Sequence, residues 1–117
     1  MQEVIRGIEA QDRACIALGI DFIEEDQHFP FGKTLKSNTA RALRRTPLDE
    51  TQITRIRSRV IDMLLKGDVP HEFKQYAKLL RHVGVGTRWP EIEQRVPREN
   101  RYVMRWFNYL RASAAPP

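Results

Sequence analysis

The alternation of apolar and polar positions is clearest between residues 46 and 83, where it predicts two amphipathic helices joined by a tight turn. Apolar residues recur every three or four positions in both halves, which places them on one face of each helix. The first stripe consists of Ile53, Ile56, Val60, Met63 and Leu64, widened by Ile61 and Leu65, and the second of Phe73, Tyr76, Ala77, Leu80 and Val83. We therefore predict a helical hairpin over residues 47–83 at the centre of the fold.

Local signals predict where the two helices of this hairpin begin and end. Thr46 is suited to the N-cap and Pro47 to the first helical position, and Asp49 falls in the first turn, where the helix dipole favours negative charge. Gly67 is expected to end the first helix in the left-handed conformation, and Asp68 to cap the second.

Weaker helical patterns flank the hairpin. Before the hairpin they predict a first helix over about residues 2–18 ending at Gly19, and then a loop held to the core by its aromatic residues. A short helix within residues 33–45, capped by Ser37 or Asn38, follows. After the hairpin they predict another short helix that buries Ile92 and Val96, and a last helix over about residues 98–112. The last helix carries an aromatic stripe of Tyr102, Trp106, Phe107 and Tyr109 together with Val103 and Leu110. This stripe is interpreted as core, with the stacking of unpaired bases as the alternative.

No stretch shows strand-like alternation, so the predicted fold class is all-α. We expect a compact bundle of four to five helices around a central helix-turn-helix-like hairpin, formed by residues 1–117 as one domain. Within it, residues 1–32 form an acidic N-terminal helix and loop, residues 33–112 a basic helical body, and residues 113–117 a frayed tail.

Composition narrows the class of protein. The chain is 41% hydrophobic and 30% charged, which is typical of a folded domain. It has no apolar run of membrane-spanning length and no signal-peptide pattern, and its single cysteine fits a reducing compartment, so a cytoplasmic protein without membrane contact is expected. Cys15 is interpreted as a small hydrophobic residue of the first helix rather than a nucleophile.

The charge is unevenly distributed along the chain. The net charge is +5, but residues 1–32 carry −5 and residues 33–117 carry +10. This division favours either a polyanionic partner or a pairing of the acidic end with the basic body. Arg57 falls within an apolar stripe, so it should extend its stem to solvent, pair with a buried carboxylate or mark the edge of a groove. We favour a pairing within the fold, for example with an acid of the N-terminal segment.

Two elements concentrate the positive charge. Residues 33–45 contain five cations and no acid, and the second hairpin helix has an arc of donors opposite its apolar face: His71, Lys74, Gln75, Lys78, Arg81 and His82. Such groups supply the backbone contacts of nucleic-acid-binding proteins, whereas a solvated basic face is the alternative interpretation. The candidate phosphate-binding residues are Lys33, Lys36, Arg41, Arg44, Arg45, Lys74, Lys78 and Arg81. A site requires that both elements lie on one surface.

Other chemistry has weak support. Asp21, Glu24, Glu25, Asp26 and His28 could form a divalent metal site, but clusters of this kind are usually solvated. Zinc spacing, a glycine-rich phosphate loop and a serine nucleophile motif are absent from the sequence, so we expect neither an enzyme nor a cofactor or metal.

The leading hypothesis is a small basic helical protein that binds the DNA or RNA backbone or has a regulatory role. The alternative is a protein–protein interaction module or adaptor whose basic face meets an acidic partner. An enzyme built on the acidic loop ranks last.

Overall fold

A computed structural model describes residues 2–25 and 32–114, without the side chains of Lys33 and Ala114. Seven α-helices make up most of these residues. The helices are α1 (Gln2–Glu9), α2 (Arg13–Glu24), α3 (Gly32–Arg44), α4 (Glu50–Lys66), α5 (Phe73–Val83), α6 (Trp89–Arg95) and α7 (Arg101–Ala114), with a 3-10 turn at Gly86–Arg88. The described residues contain no strand, so the all-α class is confirmed. The number of helices exceeds the four or five expected.

One extra helix arises because the predicted first helix is two. The chain turns sharply at Gln11, whose φ is 63°, and the Asp12 carboxylate then caps α2 by accepting the Cys15 amide N–H at 3.1 Å. The prediction that Gly19 ends a helix was wrong. Gly19 lies inside α2, where an added Cβ would be 2.6 Å from Ile8 Cδ1, so its missing side chain allows α2 to approach α1 closely.

The segment after Gly19 was predicted to be a loop, but most of it continues α2. Its apolar residues Ile20, Phe22 and Ile23 are all buried. Propensity rules stop a helix at glycine because glycine costs about 1 kcal/mol in a helix interior. Burial of three large side chains exceeds that cost. Residues 26–31 of the predicted loop lie outside the described residues.

The central hairpin begins later than predicted. Asp49, not Thr46, caps α4: its carboxylate accepts the Gln52 amide N–H at 2.8 Å, and the Gln52 side-chain oxygen accepts the Asp49 amide N–H at 2.9 Å. This reciprocal capping box satisfies two amide groups at once. Thr46 is buried instead, with its hydroxyl 2.9 Å from the Ala42 carbonyl oxygen and 3.2 Å from that of Ile8.

The turn and the buried faces of the hairpin agree with the sequence interpretation. Gly67 ends α4 with φ 79°, in the left-handed region. The buried residues of α4 include Ile56, Val60, Ile61, Met63 and Leu64, and those of α5 are Phe73, Tyr76, Ala77, Leu79 and Leu80. Asp68 is not the cap of α5, because Glu72 precedes that helix and gives it no side-chain cap. The hairpin is central: α4 packs on α2, α5, α6 and α7, and α5 on α3, α4 and α7.

The C-terminal helix starts at Arg101 rather than Arg98 because Asn100 caps it. The Asn100 side-chain oxygen accepts the amide N–H groups of Tyr102 at 3.0 Å and Val103 at 3.2 Å. Val103, Phe107 and Leu110 are buried as predicted, but Trp106 and Tyr109 are half-buried and Tyr102 is 57% exposed. The buried face of α7 is therefore narrower than the aromatic stripe predicted from the sequence. Before it, Ile92 and Val96 are buried as expected.

Arginines of α4 join it to the rest of the fold, but with partners other than those expected. Arg57 makes no ion pair with a described acidic residue: its Nε donates to the carbonyl oxygen of Gly84 at 2.8 Å, just after α5 ends. Arg55 makes the contact with the acidic segment instead, through ion pairs to Asp21 and Glu24 of α2. The acidic N-terminal region thus has a structural partner inside the domain.

Candidate nucleic-acid interface

Three helices of this fold carry positive charge without any negative charge. The sequences of α3, α5 and α7 contain ten of the twenty Lys and Arg residues and none of the fifteen Asp and Glu residues. Four of these cations are on α3, three on α5 and three on α7. Since α5 packs against both α3 and α7, the acid-free helices are neighbours. By sequence, α3, α5 and α7 carry net charges of +4, +3 and +3, which are the highest of the seven helices described.

A groove between α3 and α5 brings the two basic elements of the sequence together. It has a volume of about 350 Å³ and is lined by Thr34, Ser37, Asn38, Arg41, His71, Lys74 and Gln75. Arg41 comes from the first basic element and Lys74 from the second, and both are exposed. None of the described residues that line this groove is an Asp or Glu. Hydroxyl, amide and cationic donors without a carboxylate are the groups that contact phosphate oxygens.

Arg41 also lines a second groove, between α1 and α3, of about 470 Å³. Arg45 and Arg6 join it there, together with one carboxylate, that of Glu9. Residues 34, 38, 41 and 45 follow one another at helical spacing, so a single stripe of α3 borders both grooves. From residue 34 to residue 45 this stripe is about 16 Å long at 1.5 Å per residue.

The exposed arc of α5 continues this surface toward α7. At about 100° per residue, Arg81, Lys74 and Lys78 lie within about 60° of one another on the helix. On one side of the arc, Lys74 lines the groove with α3. On the other side, the Arg81 guanidinium lies over the Tyr109 ring of α7, 4.7 Å from its centroid. We call the exposed and half-buried cations Arg41, Arg45, Lys74, Lys78 and Arg81 the basic face.

Lys36 does not belong to the basic face, so its prediction as a site residue was wrong. It is 5% exposed, its Nζ donates to the Glu25 carbonyl oxygen, and it lies 5.6 Å from the centroid of the Phe22 ring. The cause is helical phase, because Lys36, Ala40 and Leu43 share the buried side of α3.

The other two predicted residues of α3 contribute less. Arg44 is half-buried and lines neither groove of α3. The side chain of Lys33 lies outside the described residues. The structure adds Arg6 and the polar residues of α3, which the sequence-based list of sites omitted because it counted charges and not hydroxyl or amide donors.

A separate polar pocket of about 270 Å³ lies where α3, α4 and α5 meet, and it has a different character. It contains both signs of charge, from Lys36, Arg59, Lys66, Glu25, Asp68 and Glu72. The Tyr76 hydroxyl at this pocket is buried and makes no hydrogen bond to a described residue. Burial, followed by the charge of Glu72, raises the pKa of Tyr76, so the phenol stays protonated at neutral pH. Mixed charge gives this pocket no preference for a polyanion.

The remaining candidate chemistry has little structural support. In the candidate metal cluster, Asp21 and Glu24 form ion pairs with Arg55. Asp26 and His28 lie outside the described residues. The described part of the chain holds no group of three or more metal-ligating side chains. For Cys15, partial burial and then the Asp12 carboxylate raise the thiol pKa, which disfavours the nucleophilic thiolate.

Comparison of the chain with protein-family models, with curated proteins and with solved structures finds no match. Among the described residues, no helix has the length and apolar character needed to cross a bilayer.

Proposed function

We propose that this protein binds the phosphate backbone of nucleic acids through the basic face. The observation that carries the proposal is the α3–α5 groove, where Arg41 and Lys74 lie together with neutral polar donors and no carboxylate among the described lining residues. Arg41 and Lys74, 33 positions apart in the sequence, thereby lie on one surface. The proposed role is binding, without catalysis and without reading of base sequence.

The proposal makes a quantitative prediction for the dependence on salt. Each phosphate contact on a single strand contributes about 0.7 to the slope of log affinity against log salt, and about 0.9 on B-form DNA. The five cations of the basic face give a slope of about −3 to −4 if most of them contact phosphates. The α3 stripe, about 16 Å long, matches about five nucleotide steps at the 3.4 Å rise of one strand.

Fluorescence anisotropy of labelled duplex DNA, single-stranded DNA and structured RNA at several salt concentrations tests the proposal. In the double variant Arg41→Glu/Lys74→Glu the affinity should fall, and the slope should become less steep by about 1.4 for a single strand and about 1.8 for B-form DNA, since two contacts are lost. The control is Arg13→Glu, which makes half of that change in charge at an exposed arginine in the first turn of α2 that lines neither groove of α3.

Loss of binding in both variants would show attraction by net charge alone and would refute the assignment to this face. Unchanged binding in the double variant would refute it as well. Absence of binding to any nucleic acid at low salt would favour the alternative function, an adaptor whose basic face meets an acidic protein, and a glutamate-rich peptide is then the probe.

A further inference from the structure

One side of α7 presents three aromatic rings, each of which has a guanidinium over it. Tyr102, Trp106 and Tyr109 are spaced by four and then three residues, so they follow one another along a single helix face. The distances from guanidinium carbon to ring centroid are 5.0 Å for Arg101 and Tyr102, 5.1 Å for Arg105 and Trp106, and 4.7 Å for Arg81 and Tyr109. We call these six residues the arginine–aromatic ladder.

The ladder is partly anchored in the core and partly open to solvent. Trp106 packs on the buried ring of Phe73, with centroids 6.2 Å apart, and contacts Tyr109 edge-on at 5.8 Å. Trp106 and Tyr109 are nevertheless only half-buried, and Tyr102 is 57% exposed. Rings held in place by packing lose little conformational entropy when a ligand binds to them.

Arg81 belongs to the ladder and to the basic face. The exposed arc of α5, with Lys74 and Lys78, therefore lies directly beside the aromatic side of α7. A phosphate held by α5 would have its attached base within reach of α7. This juxtaposition of cations and aromatic rings is the arrangement that proteins use to hold single-stranded nucleic acid, because every base has a π-face that stacks on aromatic rings or guanidinium planes.

From this juxtaposition we infer that the ligand of the basic face is single-stranded nucleic acid, whose unpaired bases stack on the arginine–aromatic ladder. The inference rests on the proposed function and specifies its ligand. Along the axis of α7 the three residues rise by about 6 Å and then about 4.5 Å, and the ring centroids of Trp106 and Tyr109 are 5.8 Å apart, so each spacing exceeds the 3.4 Å rise of stacked bases. The strand is therefore bound with its bases splayed apart. A duplex cannot engage the ladder in this way, because its bases are already stacked and paired.

The chain offers an internal reporter for this contact. It has two tryptophans, Trp89 and Trp106, and Trp89 stacks on Phe107 at 5.2 Å, outside the ladder. In the variant Trp89→Phe all tryptophan emission comes from Trp106. Titration with oligodeoxythymidylate should quench this emission in parallel with binding. Inorganic polyphosphate, which has the charge without the bases, should bind without quenching it.

A second variant tests the contribution of a ring without threatening the fold. Tyr102→Leu keeps an apolar side chain at an exposed position and removes the π-face. We expect the affinity for oligodeoxythymidylate to fall by about 5- to 150-fold, the range found for loss of one stacked base, while the affinity for polyphosphate stays the same. The matched control is Leu18→Ala, which changes a comparably exposed apolar residue on α2 and should alter neither affinity.

The outcomes separate the inference from the proposed function. If oligodeoxythymidylate binds with a steep salt dependence but leaves Trp106 emission unchanged, the ladder does not stack bases and only the backbone contact stands. If duplex of the same length binds as tightly as the single strand, the preference for unpaired bases is refuted. If no polyanion binds, the proposed function fails and the inference fails with it.

Discussion

Replacing Arg57 by methionine should destabilise the domain by about 2 kcal/mol. The Arg57 guanidinium donates to the carbonyl oxygens of Gly84 at 2.8 Å and Val83 at 3.4 Å, at the C-terminal end of α5. A hydrogen bond to a charged group contributes about 1.5–3 kcal/mol, and a cation at a helix C-terminus about 0.3–1 kcal/mol. Methionine preserves the packing of the apolar stem and removes both contributions, and partial exposure of the site places the sum near the lower end.

The matched control is Arg55→Met, two positions away on the same helix. Arg55 bridges Asp21 and Glu24 of α2, but its side chain is 35% exposed and those of the two acids are 57% and 37% exposed. Ion pairs of this exposure contribute about 0.5–1 kcal/mol, and salt screens them. The two variants therefore separate a charge that caps a helix from a charge that pairs on the surface.

Thermal unfolding followed by circular dichroism measures both effects. For 117 residues, an unfolding entropy of about 2.1 cal/mol/K per residue converts 2 kcal/mol into a fall of about 8 °C in Tm. In about 0.5 M salt the Arg57→Met difference should persist and the Arg55→Met difference should shrink. A fall below about 2 °C for Arg57→Met, or a deficit that disappears in salt, would refute the assignment of Arg57 as the C-terminal cap of α5.

Three further predictions follow from single contacts. Asp49→Ala should lower the free energy of unfolding by about 1 kcal/mol in a denaturant titration, because it removes the capping box of α4, and an equal loss in Pro47→Ala would argue against that cause. The Arg88 guanidinium lowers the pKa of Glu91, so Glu91 stabilises the fold above its ordinary pKa and loses this effect as the pH falls; Tm should therefore drop less in Glu91→Gln than in the unaltered protein between pH 6 and pH 3. Since the pKa of Cys15 is raised, the rate of its reaction with a disulfide reagent should keep rising with pH beyond the pKa of a free cysteine thiol. A rate that reaches its plateau near pH 8 would contradict the raised pKa.

The sequence indicated many residues of the candidate site, but not which residues at its edges belong to it. Counting charges identified both basic elements, and Arg41, Lys74 and Arg81 are exposed as expected. Lys36 was misassigned because a run of cations does not reveal which side of its helix is buried, and in α3 the fully buried Ala40 shares the side of Lys36. The aromatic residues of the ladder were interpreted from the sequence as core, with base stacking as the alternative. The ladder's Arg81 comes from another helix, so spacing within α7 could not predict the pairing with Tyr109.

The sequence alone determined the helical class, the buried faces of α4 and α5 and the end of α4 at Gly67, because these depend on periodicity and on backbone conformations that neighbouring residues dictate. Tertiary structure decided the rest. The helix α2 continues past Gly19 because the free energy gained by packing against α1 exceeds the cost of a glycine inside a helix. Packing of α5 between α3 and α7 set acid-free helices side by side, and it is this contact between distant segments that turns scattered cations into one surface.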